Sequence, residues 1–150
     1  PNALVRSDTA PVEPRERETI RRELGLAPEE PVVICVGGVQ PRKGMDVVIE
    51  ALGILAREEN LRPAMLFAGV VESAYERYKA ALEERCRDLG IEAQVRFLGH
   101  RDDVGRLLAA ADVFAMASRS EGLPLSVVEA FSAGLPAVLT AAGDCAALAG

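Results

Sequence analysis

The sequence predicts an α/β fold: a doubly wound, Rossmann-like parallel sheet of about five to six strands with helices on both faces. Three observations carry this prediction. Short apolar runs alternate with longer stretches whose apolar residues recur at helical spacing. The short runs are apolar throughout rather than at every second position, the pattern of strands covered on both sides. Finally, 49% of the 150 residues are hydrophobic but only 4% are aromatic, with no Trp, so the core must be built from Ala, Val and Leu. That length is one ordinary domain, able to bury roughly 70% of its unfolded surface.

Residues 1–12 hold two prolines and show no period, so they read as a lead-in segment, with residues 13–150 forming the domain. A charged helix is expected from Glu13 to Leu24, stopped by Gly25. Val32–Val36 (VVICV) reads as the first buried strand. Met45, Val48, Ile49, Leu52, Leu55 and Ala56 then repeat at i, i+3, i+4 and i+7, which defines a helix. Ala64–Ala68 is the second strand, and Tyr75, Tyr78, Leu82, Cys86 and Leu89 mark one face of a helix ended by Gly90. Val95–Leu98 is a third strand, Asp103–Ala110 a short helix and Val113–Ala117 a fourth strand. Leu125–Ala133 follows as a helix with Pro124 near its start and Gly134 past its end. Ala137–Thr140 is the fifth strand, and residues 143–150 read as the opening of one more helix.

Charge narrows the partners. Lys and Arg number 17 against 23 Asp and Glu, a formal net charge of −6, which argues against nucleic acid or an anionic membrane as the main partner. Any anionic ligand therefore needs a local positive site. The three cysteines, Cys35, Cys86 and Cys145, form no CxxC pair, and Cys35 and Cys86 read as small buried hydrophobes. With one histidine, His100, a His-rich metal site is impossible, so no metal is expected. No signal peptide opens the chain and no 18-residue apolar run crosses it, so a cytoplasmic location is expected.

In such a sheet, ligands bind at the carboxyl ends of the strands. Two loops there stand out. After the first strand comes Gly37-Gly38-Val39-Gln40-Pro41-Arg42-Lys43-Gly44, leading straight into a helix. Its glycines admit close backbone approach, and a helix start favours anions. Arg42 and Lys43 at that start are unfavourable by about 0.3–1 kcal/mol unless an anion is near, so the loop makes sense as a phosphate site. The spacing fits neither G-x-G-x-x-G nor a Walker A loop, since Lys43 precedes Gly44. An ordinary turn with solvated cations is the competing reading. After the fourth strand, Ser118-Arg119-Ser120-Glu121-Gly122-Leu123-Pro124-Leu125 leads into the helix carrying Glu129. Glu121 stands at the sheet edge, and Glu129 could accept hydrogen bonds from vicinal hydroxyls, as an acidic residue does for ribose in dinucleotide folds. Both glutamates could equally be solvated residues near a helix start.

Taken together, Gly37-x5-Lys43-Gly44, Phe97-x-Gly99 and Ser118-x-x-Glu121-Gly122-x6-Glu129-Ala130, followed by Gly134 and Pro136, form an ordered series. It resembles the C-terminal, donor-binding domain of the group 1 family of retaining glycosyltransferases with the GT-B fold. The opening Pro1-Asn2 is similar to the start of that domain, and the resemblance covers essentially the whole chain. It implies binding of a nucleoside-diphosphate sugar, without a cofactor or bound metal, and transfer with retention at the anomeric carbon. By that resemblance, Lys43 would neutralise the diphosphate, helped by backbone N–H groups near Gly37 and from Gly122, Leu123 and Leu125, with Pro124, which has no N–H, shaping the same stretch. Glu129 would hold the ribose hydroxyls, and Glu121 would face the donor sugar as the catalytic residue. Gly99, His100 and Arg101 would border the base.

The sequence departs from the family pattern in places. An Arg usual after the first glycine is Gly38 here, and Arg42 is the candidate to replace its charge. The usual Gly-Gly and following Glu are replaced by Gly143-Asp144 and Ala147. The resemblance also implies an N-terminal acceptor domain that these residues do not supply, with the present domain cut short at its C-terminus. Any peripheral membrane association would come through that other domain, and the isolated chain is expected to bind nucleotide without turnover. The alternatives are a related epimerase or phosphorylase, and a non-catalytic doubly wound scaffold or pseudoenzyme.

Overall fold

In a computed structural model describing residues 14–122 and 124–142, five strands form one fully parallel sheet. They are β1 (Val32–Val36), β2 (Ala64–Ala68), β3 (Val95–Gly99), β4 (Val113–Met116) and β5 (Ala137–Leu139), in the order β3-β2-β1-β4-β5. Five helices connect or flank them: α1 (Pro14–Glu23), α2 (Met45–Glu58), α3 (Glu76–Asp88), α4 (Val104–Ala110) and α5 (Leu125–Ser132). The chain winds outward from β1 in one direction and then from β4 in the other, so the order reverses between these two strands. Their carboxyl ends frame the crevice that this topology reserves for ligands. The expected helix over 143–150 and Cys145 lie outside the described residues, and no described helix is long and apolar enough to cross a membrane.

Alternation along the strands splits the interior into two cores. On one face Val32, Ile34, Leu66 and Phe114 pack with Leu107 and Leu108 of α4 and Val127 and Ala130 of α5. On the other, Cys35, Met65 and Phe67 meet Met45, Ile49 and Leu52 of α2 and Leu82 and Cys86 of α3. Each fully buried Leu, Ile, Val or Phe stabilises the fold by about 1.5–3 kcal/mol. Cys35 and Cys86 are buried free thiols, as small hydrophobes should be.

Three helices stop where the sequence places glycine. Gly25, Gly90 and Gly134 have φ of 65°, 65° and 74°, and the amide after each reaches back to the last helical turn. Ile91 N–H, for example, donates to the Cys86 carbonyl while Gly90 N–H donates to Arg87, a Schellman motif. Boundaries elsewhere shift by a residue. The α3 helix begins at Glu76 because Ser73–Tyr75 form a tighter 3₁₀ turn, and α4 begins at Val104 with Asp103 outside it. Strand β3 runs on to Gly99, whereas β4 stops at Met116 and β5 at Leu139, and the α1 and α5 helices end at Glu23 and Ser132. These ends are set by partner strands and final turns, which apolar runs do not mark.

At the edge opposite the crevice, α1 is pinned to the sheet by ions. Arg21, 5% exposed, donates to Asp112 Oδ2 at 2.7 Å, and Arg17 donates to Oδ1 at 2.6 Å. Asp112 also accepts the Val32 N–H at 2.8 Å. Burial raises the Asp112 pKa, but hydrogen bonds from Arg17 and Val32 and the Arg21 charge outweigh it, so the group lies below the usual carboxylate range.

Candidate functional site

The loops after β1 and β4 meet at the switch point. Pro41–Lys43 form a 3₁₀ turn that ends at Gly44, whose φ of 63° belongs to the left-handed region. A Cβ on Gly44 would lie 1.8 Å from the Ala117 carbonyl oxygen, so only glycine lets the start of α2 sit against the end of β4. The Lys43 side chain lies across Gly37, where a Cβ would stand 3.3 Å from Lys43 Cε.

This packing brings Lys43 to Glu121. The ammonium donates to Glu121 Oε1 at 2.5 Å, and the Ser118 hydroxyl donates to the same oxygen at 2.9 Å. Arg42 donates to the Ser120 carbonyl at 2.8 Å and stands 3.3 Å from Glu121 Oε2. Both side chains of the inner pair are largely shielded, at 12% exposure for Lys43 and 7% for Glu121. Burial raises the Glu121 pKa. Hydrogen bonds from Lys43 and Ser118, with the Lys43 and Arg42 charges, overcome that and hold the carboxyl below its ordinary range. Beneath the pair, burial pushes the Cys35 thiol up to about 12, with Lys43 lowering it and Glu121 raising it.

The anion that the two cations demand is thus partly supplied from within the chain, by Glu121. A second carboxylate, Asp46, sits in the first turn of α2. Sequence reasoning predicted a phosphate as the partner and missed these contacts, because Lys43 and Glu121 are 78 residues apart. Asp46 is matched by Arg119, and Arg42 with Lys43 against Glu121 still leaves the cluster positive.

Gly37, Gly38, His100 and Arg101 line one cavity of about 190 Å³ with Val36, Ala68, Gly69 and Val70. His100 is exposed with Nε2 2.9 Å from Asp102, while Arg101 grips Asp103 through two bonds of 2.7 Å. The Arg101–Asp103 pair holds the Asp103 carboxyl below its ordinary range, hydrogen bonding being the main cause. Gly99, at φ +68°, ends β3, and its carbonyl accepts the Gly69 N–H. Gly122 is exposed and Pro124 buried; Leu125, 69% exposed, opens α5, whose start carries no side-chain cap. Leu123 lies outside the described residues. Glu129 is half-buried one turn into α5, and its side chain makes no hydrogen bond or ion pair with a described residue. The structure therefore joins Arg42, Lys43 and Glu121 in one cluster, and the two glycines with His100 and Arg101 in another.

Residues that the sequence did not single out tie the loops together. Arg119 donates to Asp46 and to the Pro41 carbonyl, Tyr78 donates to Asp46, and Thr140 donates to the Ser118 carbonyl at 2.7 Å. No local spacing signals these contacts. A bigger cavity of about 360 Å³ lies between α3 and β3, away from the switch point. There Lys79 pairs with Glu83 and covers the Phe97 ring, so the lining charges are matched. Among the described residues, no group of His, Cys, Asp and Glu could hold a metal ion.

Comparison with known proteins agrees with this architecture. The chain is 32% identical to the D-inositol 3-phosphate glycosyltransferase of Jonesia denitrificans over 147 residues, covering 95% of this chain and 34% of that protein. It is 34% identical to the lipopolysaccharide glucosyltransferase WaaG of Escherichia coli, over 85% of this chain and 33% of that protein. The crystal structure of Anabaena HepE in complex with UDP and glucose superposes with a TM-score of 0.85 at 28% identity, covering 94% of this chain and 37% of that one. The chain thus spans about a third of the length of the relatives it matches. The family model for glycosyl transferases group 1 matches residues 16–149, and the chain belongs to that family.

Proposed function

We propose that this chain is the nucleotide-sugar donor-binding domain of a retaining glycosyltransferase of GT-B type, comprising residues 13–150 after a lead-in at 1–12. The acceptor domain is supplied elsewhere in the protein. The observation that carries the proposal is the meeting of the two glycine-bearing loops at the switch point, where Arg42 and Lys43 outnumber Glu121. The HepE structures with UDP and with UDP-glucose support the ligand class.

In this reading, an ammonium has three N–H donors and Lys43 spends one on Glu121, leaving two for diphosphate oxygens. Glu121 thereby aims Lys43 while its own carboxylate faces the donor sugar. Arg42 adds the charge that Gly38 lacks. The uncapped starts of α2 and α5 add dipole and free N–H groups. Glu129 takes the ribose hydroxyls, and His100 and Arg101 border the base. During transfer the anomeric carbon exchanges its bond to the diphosphate oxygen for one to the acceptor oxygen, with the same configuration, and the acceptor's hydroxyl proton passes to the departing diphosphate. Negative charge then builds on the leaving diphosphate, where preorganised cations and dipoles act without a metal. Orientation of the acceptor and exclusion of water fall to the other domain, so the chain alone binds nucleotide weakly and transfers no sugar.

NMR titration with UDP, GDP and ADP tests this, alongside Lys43→Ala and Glu129→Ala. Amide shifts confined to residues 37–44 and 121–129, weakened by both substitutions, are expected. Silence at millimolar nucleotide would instead favour the scaffold reading, which Gly38 motivates.

A further inference from the structure

Arg119 ties the two loops together yet makes no hydrogen bond or ion pair with Lys43 or Glu121. Its backbone N–H donates to the Arg42 carbonyl at 2.8 Å. Its guanidinium donates to the Pro41 carbonyl at 2.6 Å and forks onto both Asp46 oxygens, at 2.9 and 2.5 Å. Tyr78 of α3 donates to Asp46 Oδ1 at 2.9 Å, so the carboxylate is held from a third element. Arg42 completes the lacing by donating to the Ser120 carbonyl. These bonds bracket the Lys43–Glu121 contact on both sides: Pro41, Arg42 and Asp46 flank Lys43, and Arg119 and Ser120 precede Glu121.

We propose that Arg119 is a positioning residue that, through Asp46 and the Pro41 carbonyl, sets the separation of Lys43 and Glu121 and hence the shape of the diphosphate site. The proposal rests on the donor-binding reading for its consequence, but its physical content is the coupling between two ion pairs. A guanidinium suits this task because its planar fork fixes both distance and angle, which an ammonium cannot do. The Arg119–Asp46 pair is itself robust. The Asp46 carboxyl is held below its ordinary range chiefly by the hydrogen bond from Arg119, and burial with the Asp46 bond pushes the Tyr78 hydroxyl up to about 12. Both groups therefore keep one charge state across the neutral range. Glu121, facing Lys43, Arg42 and Ser118 with Cys35 beneath, is the group that reports any loosening.

Two readouts separate the proposal from the reading it deepens. The first needs no ligand: the Glu121 side-chain carboxyl is titrated by ¹³C NMR in the wild-type chain, Arg119→Ala, Arg119→Lys and Asp46→Asn. The Glu121 midpoint should rise in Arg119→Ala, and by less in Arg119→Lys and in the isosteric Asp46→Asn, which retains the fold should Arg119→Ala fail to. An unmoved midpoint in the folded variants would overturn the proposal. The second is UDP affinity in a double-mutant cycle with Lys43→Ala. Arg119→Ala alone should weaken binding about tenfold, the scale of one charge-assisted contact. Added to Lys43→Ala, it should cost nothing further. Additive losses would mean that Arg119 acts independently of Lys43 and would overturn it as well. Should the wild-type chain bind no nucleotide, the donor-binding reading falls, and the Glu121 titration still decides the coupling.

Discussion

Replacing Gly44 by alanine measures how tightly the two site loops are packed. Gly44 and Gly90 have nearly the same backbone, with φ of 63° and 65°, so an alanine at either carries the same left-handed cost of about 1–2 kcal/mol. Their surroundings differ. Nothing lies within 4 Å of a Cβ on Gly90, whereas on Gly44 it would lie 1.8 Å from the Ala117 oxygen and 2.6 Å from its carbon. That is about 1.5 Å short of an ordinary carbon–oxygen contact, so the start of α2 must move off β4. Overpacking of this kind adds about 1–3 kcal/mol. Gly90→Ala should therefore lower the melting temperature by about 5 °C and Gly44→Ala by about 10 °C, at about 2–4 °C per kcal/mol for this chain length. Thermal unfolding followed by circular dichroism compares the two directly. Equal shifts would refute the close approach of the loops, and with it the geometry that delivers Lys43 to Glu121.

Removing the carboxylate that pins α1, by Asp112→Ala, should destabilise the domain by about 2 kcal/mol in urea unfolding. This is less than a fully buried pair because Asp112 keeps part of its surface in water and Arg21 keeps three carbonyl partners. Asp112 and Glu121 both have depressed pKa values when folded, so their contribution is full above the unfolded value of about 4 and is lost as pH falls through the folded values. Urea midpoints should accordingly drop between pH 7 and pH 3, and a flat profile would contradict the assignment. Burial pushes Cys35 up to about 12 and Cys86 up to about 11, so neither should take a thiol label at pH 8 until the chain unfolds, as peptide mass mapping can check. Restoring the family's usual cation by Gly38→Arg should tighten UDP binding about tenfold, since a Cβ there makes only ordinary 3.6 Å contacts. Unchanged affinity in the NMR titration would show that Arg42 already fills that role.

The frame of this fold was legible because its signals are local. VVICV and AMLFA are the strands β1 and β2 residue for residue, since each is an unbroken apolar run covered on both faces. Gly25, Gly90 and Gly134 stop helices for the steric reason that marks them in sequence. The loops of the site were legible too, because the carboxyl ends of parallel strands are where such sheets bind. What escaped was everything non-local. The Lys43–Glu121, Arg119–Asp46 and Arg21–Asp112 pairs span 78, 73 and 91 residues, and no periodicity records which of 40 formal charges will meet. The 40 are the 17 basic and 23 acidic residues taken together. Arg42 and Lys43 looked like cations awaiting a ligand for this reason: their internal partner lies in the other half of the sheet.

The ionic pinning of α1 also orders events in time. Arg17 and Arg21 find their carboxylate more than 90 positions downstream, and the Ala110 carbonyl that receives Arg21 lies nearly as far away. Closing so long a loop is slow and yields nothing until β4 has found β1. The α1 helix must therefore wait for β4, which Asp112 immediately precedes. Until then Arg17 and Arg21 remain in water, on a helix that docks late onto a sheet already assembled.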